Sequence, residues 1–324
     1  LARRWLLGAA GVLATTAVTL VLLEVALRVY SRITPNADVE FVRYANAMKA
    51  AAPGSGMRFR HAPGSRHRLF GVDVSIDSRG FRDVEPGRGE DGARVVLLGD
   101  SVTFGWGVPY GERFSEILER EWSARSPVEL INTGHGNWNT AQECAALREL
   151  FAGSPPDGVL QVWYINDAEP TPEHRDPPWY ARFHLAVFAW SKLDLLERRL
   201  GARPSYQDYY RGLYADGAPG LAAFEGALAD TGAWAVARGI PWVFVLLPEF
   251  HEFPGPFAGV YGRVRSSAAA AGAVVVDLTD AFDGVDPSTT WVARNDVHPN
   301  SKGHALIARG ILDRLDSGWF RGGA

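Results

Sequence analysis

Apolar residues along this chain fall into runs of different length and period, and each kind predicts a different element. Near the N-terminus, Leu6–Leu23 carries no charge. At about 1.5 Å of rise per helical residue it covers roughly 27 Å, close to the thickness of a hydrocarbon core. Farther on come short β-branched and leucine runs: Val95–Leu98, Val128–Asn132, Gly158–Ile165, Trp242–Leu247 and Ala273–Asp277. They have the length of strands rather than helices. Between them the period becomes helical. Phe114, Ile117, Leu118 and Trp122 share one face, Leu221–Arg238 stops at Gly239, and Ile307, Ala308, Ile311, Leu312 and Leu315 form a stripe within Ser301–Leu315. Thr140-Ala141-Gln142-Glu143 has the spacing of a capping box, opening a helix through about Phe151. Strands alternating with helices predict an α/β fold whose parallel sheet is joined by crossover helices.

The same pattern divides the chain. Residues 1–32 read as a transmembrane anchor, 33–92 as a juxtamembrane connecting region, and 93–320 as the main domain with an insertion at 167–220. Arg3-Arg4 ahead of the apolar run also fits a cleavable signal peptide, but the run is long for one and no small-x-small site closes it. The expectation is an uncleaved anchor with the bulk of the protein on the extracytoplasmic side. Glu24 and Arg28 follow at i,i+4 spacing and can neutralise each other at the interface. In the connecting region, Arg58-Phe59-Arg60-His61 and Arg66-His67-Arg68-Leu69-Phe70 alternate like short strands with solvated basic faces, and Ser78-Arg79-Gly80-Phe81-Arg82-Asp83 reads as a turn. The insertion is rich in aromatics, from Trp179 to Tyr214. It reads either as a cap over a site or as a satellite core that buries its own rings.

Composition adds exclusions. With 324 residues, 47% of them hydrophobic, and a net charge of −4, the chain suits one sizeable globular domain plus extras, with no electrostatic call for nucleic acid as partner. The single cysteine, Cys144, rules out an internal disulfide framework or a cysteine-based zinc site, and it reads as a buried structural thiol. The histidines lack metal-ligand spacing, so neither metal nor other cofactor is expected.

Candidate chemistry sits at the ends of the predicted strands. Gly99-Asp100-Ser101 follows the first, Asn137 lies in the loop after the second, and Asn166 follows the third. Asp296-Val297-His298-Pro299-Asn300 lies between the fifth strand and the last helix. In a parallel sheet these ends share one edge, where ligands bind. A serine becomes a useful nucleophile when a histidine takes its proton and a carboxylate orients that imidazole. The resulting oxyanion needs fixed N–H donors, which Ser101, Asn137 and Asn166 can offer as two backbone amides and one side chain. Asp100 reads as a brace for the turn, Glu143 as part of its cap, His135 as a wall of the site or a substrate contact, and His251 and His304 as structural or peripheral.

On these residues the chain resembles the SGNH (GDSL-type) hydrolase family over about Arg94 to Leu315. Gly99-Asp100-Ser101 is similar to the first family block, Asn132-Thr133-Gly134 with its loop to the second, Tyr164-Ile165-Asn166-Asp167 to the third, and Asp296-Val297-His298-Pro299-Asn300 to the last. The anchor, Gly80-Phe81-Arg82-Asp83 and Gly105-Trp106-Gly107 look like its membrane-associated bacterial branch. The resemblance implies a three-layer α/β/α, flavodoxin-like fold with a five-stranded parallel sheet. It implies Ser101 as nucleophile, His298 as general base and acid, and Asn166 as oxyanion donor. Tyr164 stands where the family usually has glycine, and Asn137 aligns with the usual glycine donor, with Gly136 beside it. The commoner carboxylate position holds Asn295, so Asp296 is taken as the orienting acid with Asn295 as its rival.

The expected function is a membrane-anchored serine esterase acting on an acylated small molecule or glycan, active as His298 loses its proton near pH ~6.5 if unperturbed. Acyl transfer or deacetylation on cell-envelope glycans is the alternative within that chemistry. A catalytically silent glycan-binding module on the same fold is the alternative outside it.

Overall fold

The computed structural model describes residues 2–85, 92–173 and 178–321. The end of the predicted connecting region at 86–91 and residues 174–177 of the insertion lie outside the described residues. The chain forms two compact units, one of residues 1–47 and 176–203, the other of residues 48–175 and 204–324. The divide runs through both the predicted connecting region and the insertion.

In the smaller unit, Ala2–Ile33 is one continuous helix. It is apolar and long enough to cross a membrane or to serve as a signal sequence, with mean hydropathy 2.2 in its most apolar window. The other long helix of this unit is His184–Arg199.

The larger unit opens with two antiparallel hairpins, β1 (Lys49–Ala51) with β2 (Phe59–His61), and β3 (Arg66–Leu69) with β4 (Val72–Ser75). Its centre is a five-stranded sheet of β5 (Ala93–Gly99), β6 (Val128–Asn132), β7 (Gly158–Trp163), β8 (Trp242–Leu246) and β9 (Val274–Asp277). The spatial order is β6-β5-β7-β8-β9, parallel throughout. Both faces of the middle strands are buried, which is why they read as unbroken apolar runs instead of alternating ones. Phe114–Ser123 packs with Ser301–Leu312, while Thr140–Leu150, Pro219–Val236 and Ala258–Ala270 pack together. With right-handed crossovers the two groups cover opposite faces, giving an α/β/α sandwich. A last hairpin pairs β10 (Trp291–Ala293) with β11 (Asp296–Pro299).

Strand order reverses between β5 and β7. In a doubly wound sheet that reversal opens a crevice at the carboxyl ends of the strands. Ser101 follows β5 and Asn166 follows β7, so both stand at the switch point.

Two local expectations change. The helix after β6 is capped by Asn139, whose side chain accepts from Gln142 N, one residue before the predicted Thr140. Glu143 therefore has no part in the cap. Its buried side chain accepts from Gln161 Nε2 at 2.8 Å instead. In the insertion, Tyr214 is buried and bonded to the Ile165 carbonyl, whereas Trp179 and Trp190 stay exposed.

Candidate active site

Ser101 opens a single helical turn, Ser101–Phe104, with Asp100 as its N-cap accepting from Val102 N at 2.8 Å. Gly99 is required by close approach: a Cβ there would lie 2.1 Å from Thr103 Oγ1. The loop after β6 is lashed to this turn. Asn132 Nδ2 donates to Thr103 O, His135 N donates to Gly99 O, and a Cβ on Gly134 would lie 2.3 Å from Phe104 N. From the other side, buried Arg82 donates to the carbonyls of Phe104, Gly105 and Val108. The predicted turn around Gly80 thus holds the exit of the serine turn in place.

Ser101 Oγ lies 2.8 Å from His298 Nε2, and His298 Nδ1 lies 2.5 Å from Asp296 Oδ1. The same carboxylate oxygen accepts from His298 N at 3.1 Å. The other, Oδ2, accepts from Trp106 Nε1 at 2.8 Å. Hairpin β10–β11 carries both the acid and the histidine, and Trp106 ties it back to the segment that follows the serine. Asn295 sits exposed at the tip of this hairpin, so the carboxylate that meets the imidazole is that of Asp296.

The two ionisable partners are shifted apart. Burial works to raise the Asp296 carboxyl, but the His298 charge and the hydrogen bonds from His298 and Trp106 outweigh it and hold the group below its ordinary value. Burial works to lower His298, but Asp296 and Asp100 together push it above the ordinary imidazole value. Burial pushes the Asp100 carboxyl up, while Val102 N, His298 and Asn166 pull against that rise.

Asn166 is half-buried, and its side chain hydrogen-bonds the Asp100 carboxylate beside Ser101. An amide nitrogen carries two N–H groups, so one remains to donate elsewhere. Asn137 has φ +68°, the left-handed conformation that glycine adopts most easily and asparagine tolerates. Its side chain turns to β1, where Lys49 Nζ donates to Asn137 Oδ1 at 2.7 Å. Beneath them, His135 is buried between the rings of His61 and Trp138, at centroid distances of 3.7 and 4.7 Å. Burial keeps both imidazoles neutral, drawing His61 down to about 3. His304 is buried and accepts from Phe114 N at 3.1 Å, and His251 pairs with Glu249. Tyr164 is buried against Phe250, with its hydroxyl donating to Glu249. Among the described residues no cluster of His, Cys, Asp and Glu is arranged to hold a metal ion.

Two partners of the site carry no mark at the strand ends. Trp106 stood out only within Gly105-Trp106-Gly107, and its carboxylate contact spans 190 residues. Lys49 reaches Asn137 across 88 residues. No local pattern marks either contact.

The sequence profile of the GDSL-like lipase/acylhydrolase family matches residues 97–306. No curated protein sequence matches the chain. Among solved structures, an alpha/beta hydrolase enzyme from the metagenome of Lake Arreo, Spain, is 22% identical, with 68% of this chain and 94% of that one covered and a TM-score of 0.44. The psychrotrophic esterase EstA from Pseudoalteromonas sp. is 14% identical, with 71% and 100% covered and a TM-score of 0.42. Axe2, an acetylxylan esterase from Geobacillus stearothermophilus, is 17% identical, with 73% and 100% covered and a TM-score of 0.44. With the profile spanning both the serine turn and the Asp296–His298 hairpin, the chain belongs to the GDSL-like lipase/acylhydrolase family of serine hydrolases, which act on ester bonds.

Proposed function

We propose that this protein is a membrane-anchored esterase that cleaves O-acyl esters through an acyl-enzyme on Ser101. The observation that carries the proposal is the continuous hydrogen-bonded chain from Ser101 Oγ through His298 to Asp296. His298 Nδ1–H donates to Asp296, which leaves Nε2 free of its own proton and able to take that of Ser101. The serine oxygen attacks the acyl carbon and the carbonyl oxygen takes up the negative charge. The N–H groups of Ser101 and Asn137 and the side chain of Asn166 meet that charge. Each such donor is typically worth about 3 kcal/mol. The imidazolium then protonates the departing alcohol, and the same base draws a proton from the water that releases the acid.

The helix Ala2–Ile33 supports the anchoring, with the larger unit on the extracytoplasmic side. The substrate is an acylated small molecule or glycan.

Ser101→Ala tests the chemistry. Turnover of a short-chain aryl ester and labelling by a fluorophosphonate should both vanish in a variant that keeps its thermal transition. Turnover persisting at the wild-type rate would remove Ser101 from the reaction.

A further inference from the structure

The smaller unit carries an unusual helix. In His184–Arg199 the covered residues beyond the first turn are mostly polar: Ser191, Asp194 and Arg198 are half-buried there, with His184, Leu185, Ala186 and Val187 covered at the start of the helix. Asp194 pairs with Arg198 and Arg203 on that side. The outward face is apolar. Ala189, Leu193, Leu196 and Leu200 recur along one exposed stripe, with Trp190 beside it. Leu193, Leu200 and Trp190 are exposed by 60%, 75% and 63%. A helix facing water on its outer side has the opposite arrangement. The turn before it, Trp179–Arg182, adds exposed Trp179 and Tyr180, followed by exposed Phe183.

A carboxylate joins this helix to the long one. Phe183, at the N-cap, supplies no side-chain cap. Glu24 supplies one from the other helix, accepting from His184 N at 3.0 Å and from Leu185 N at 2.8 Å. Arg28 completes the joint, bonding Glu24 Oε1 at 2.6 Å and the Arg182 carbonyl at 2.8 Å. Unpaired N–H groups and the positive end of the helix dipole make this a favourable seat for a carboxylate. Glu24 is the first charge after the uncharged run that ends at Leu23. The joint therefore marks the level at which an embedded helix would leave the hydrocarbon.

We propose that Trp179–Leu200 is a membrane-surface element. Its apolar stripe lies in the interfacial layer of the bilayer at the level of Glu24, and Lys192 and Arg199 flank it toward the headgroups. Aromatic residues at this depth and a helix lying in the plane of the interface are the forms that bilayers stabilise. The proposal rests on the anchoring described above. The occupant of the apolar face is lipid, because that face begins where the apolar span ends and is joined to it by Glu24.

The test uses the full chain in vesicles of phosphatidylcholine with phosphatidylglycerol. Cys144→Ala removes the one cysteine, and retained ester turnover reports folding. Single cysteines then replace Leu13, Leu193 or, as a second site on the stripe, Leu196, and each is labelled with an environment-sensitive fluorophore. The expected result is strong quenching at position 13 by bromines deep in the acyl chains. Positions 193 and 196 should be quenched by shallow bromines and shielded from aqueous iodide. Iodide access at 193 and 196 with position 13 still quenched overturns the inference alone. Shielding from both quenchers at 193 and 196 means protein, such as a second copy, covers the stripe, and this also overturns it. An unquenched position 13 overturns the anchoring itself.

Discussion

Asp296→Asn removes the charge from a carboxylate whose Oδ1 lies 2.5 Å from His298 Nδ1, while keeping its shape. Contact at that distance sets the charge centres of an ion pair about 4 Å apart, where an effective dielectric near 20 gives about 4 kcal/mol of attraction. That attraction exists only once the imidazole is protonated, so it acts on the transition state. At about 1.4 kcal/mol per tenfold in rate, its loss lowers kcat by about 10³. The pH profile gives a second measure. His298 must be neutral to accept the serine proton, and Asp296 with Asp100 pushes its pKa above the ordinary value against the effect of burial. The wild-type acid limb therefore stands above pH ~6.5. Without the Asp296 charge, burial weighs more heavily, the pKa falls, and the limb moves to lower pH even as the plateau drops. The assay is kcat/KM for a short-chain aryl ester between about pH 5 and 9, with Asn295→Ala as the control on the exposed neighbour. A loss below about threefold, or an unmoved acid limb, refutes Asp296 as the orienting acid. So does a larger loss in Asn295→Ala.

Lys49→Met takes away the donor that holds the Asn137 side chain and frees a non-glycine residue from its φ of +68°. With a left-handed residue costing about 1–2 kcal/mol, kcat should fall about tenfold with KM little changed. In an Asn137→Gly background the same substitution should cost almost nothing, and an equal loss in both backgrounds would sink the idea. Burial pushes the Glu143 carboxyl up to about 8. The unfolded chain ionises this group near its ordinary value, so the native state loses stability as pH rises from about 4.5 to 8. Glu143→Gln should therefore show a gain in Tm over wild type that widens between about pH 5 and 8, measured by calorimetry. Gly134→Ala drives a methyl to within 2.3 Å of Phe104 N. It should destabilise the fold by about 1–3 kcal/mol in urea titration, because backbone rather than a flexible side chain must give way.

What the sequence determined by itself is the part of the structure carried by local periodicity. The runs at Val95–Leu98 and Trp242–Leu247 appear as the buried strands β5 and β8, and the stripe from Ile307 appears as a helix. An apolar run buried on both faces and a stripe of helical period leave little alternative to strand and helix. The family blocks around Ser101 and His298 were legible for the same reason, since each is a short contiguous motif at a strand end. Local spacing misled where two residues compete for one role. Thr140 and Glu143 match a capping box, but Asn139, in extended backbone, takes the cap by accepting from Gln142 N, while Glu143 is buried against Gln161 on β7. Tertiary structure alone decided that Asp296 and not Asn295 meets the imidazole, that Trp106 holds its second oxygen, and that Lys49 reaches Asn137. It also decided that Glu24 caps a helix 160 residues away. Those contacts depend on the register of a hairpin and the approach of distant elements, and their free energy is felt only after the chain has paid to bring the ends together.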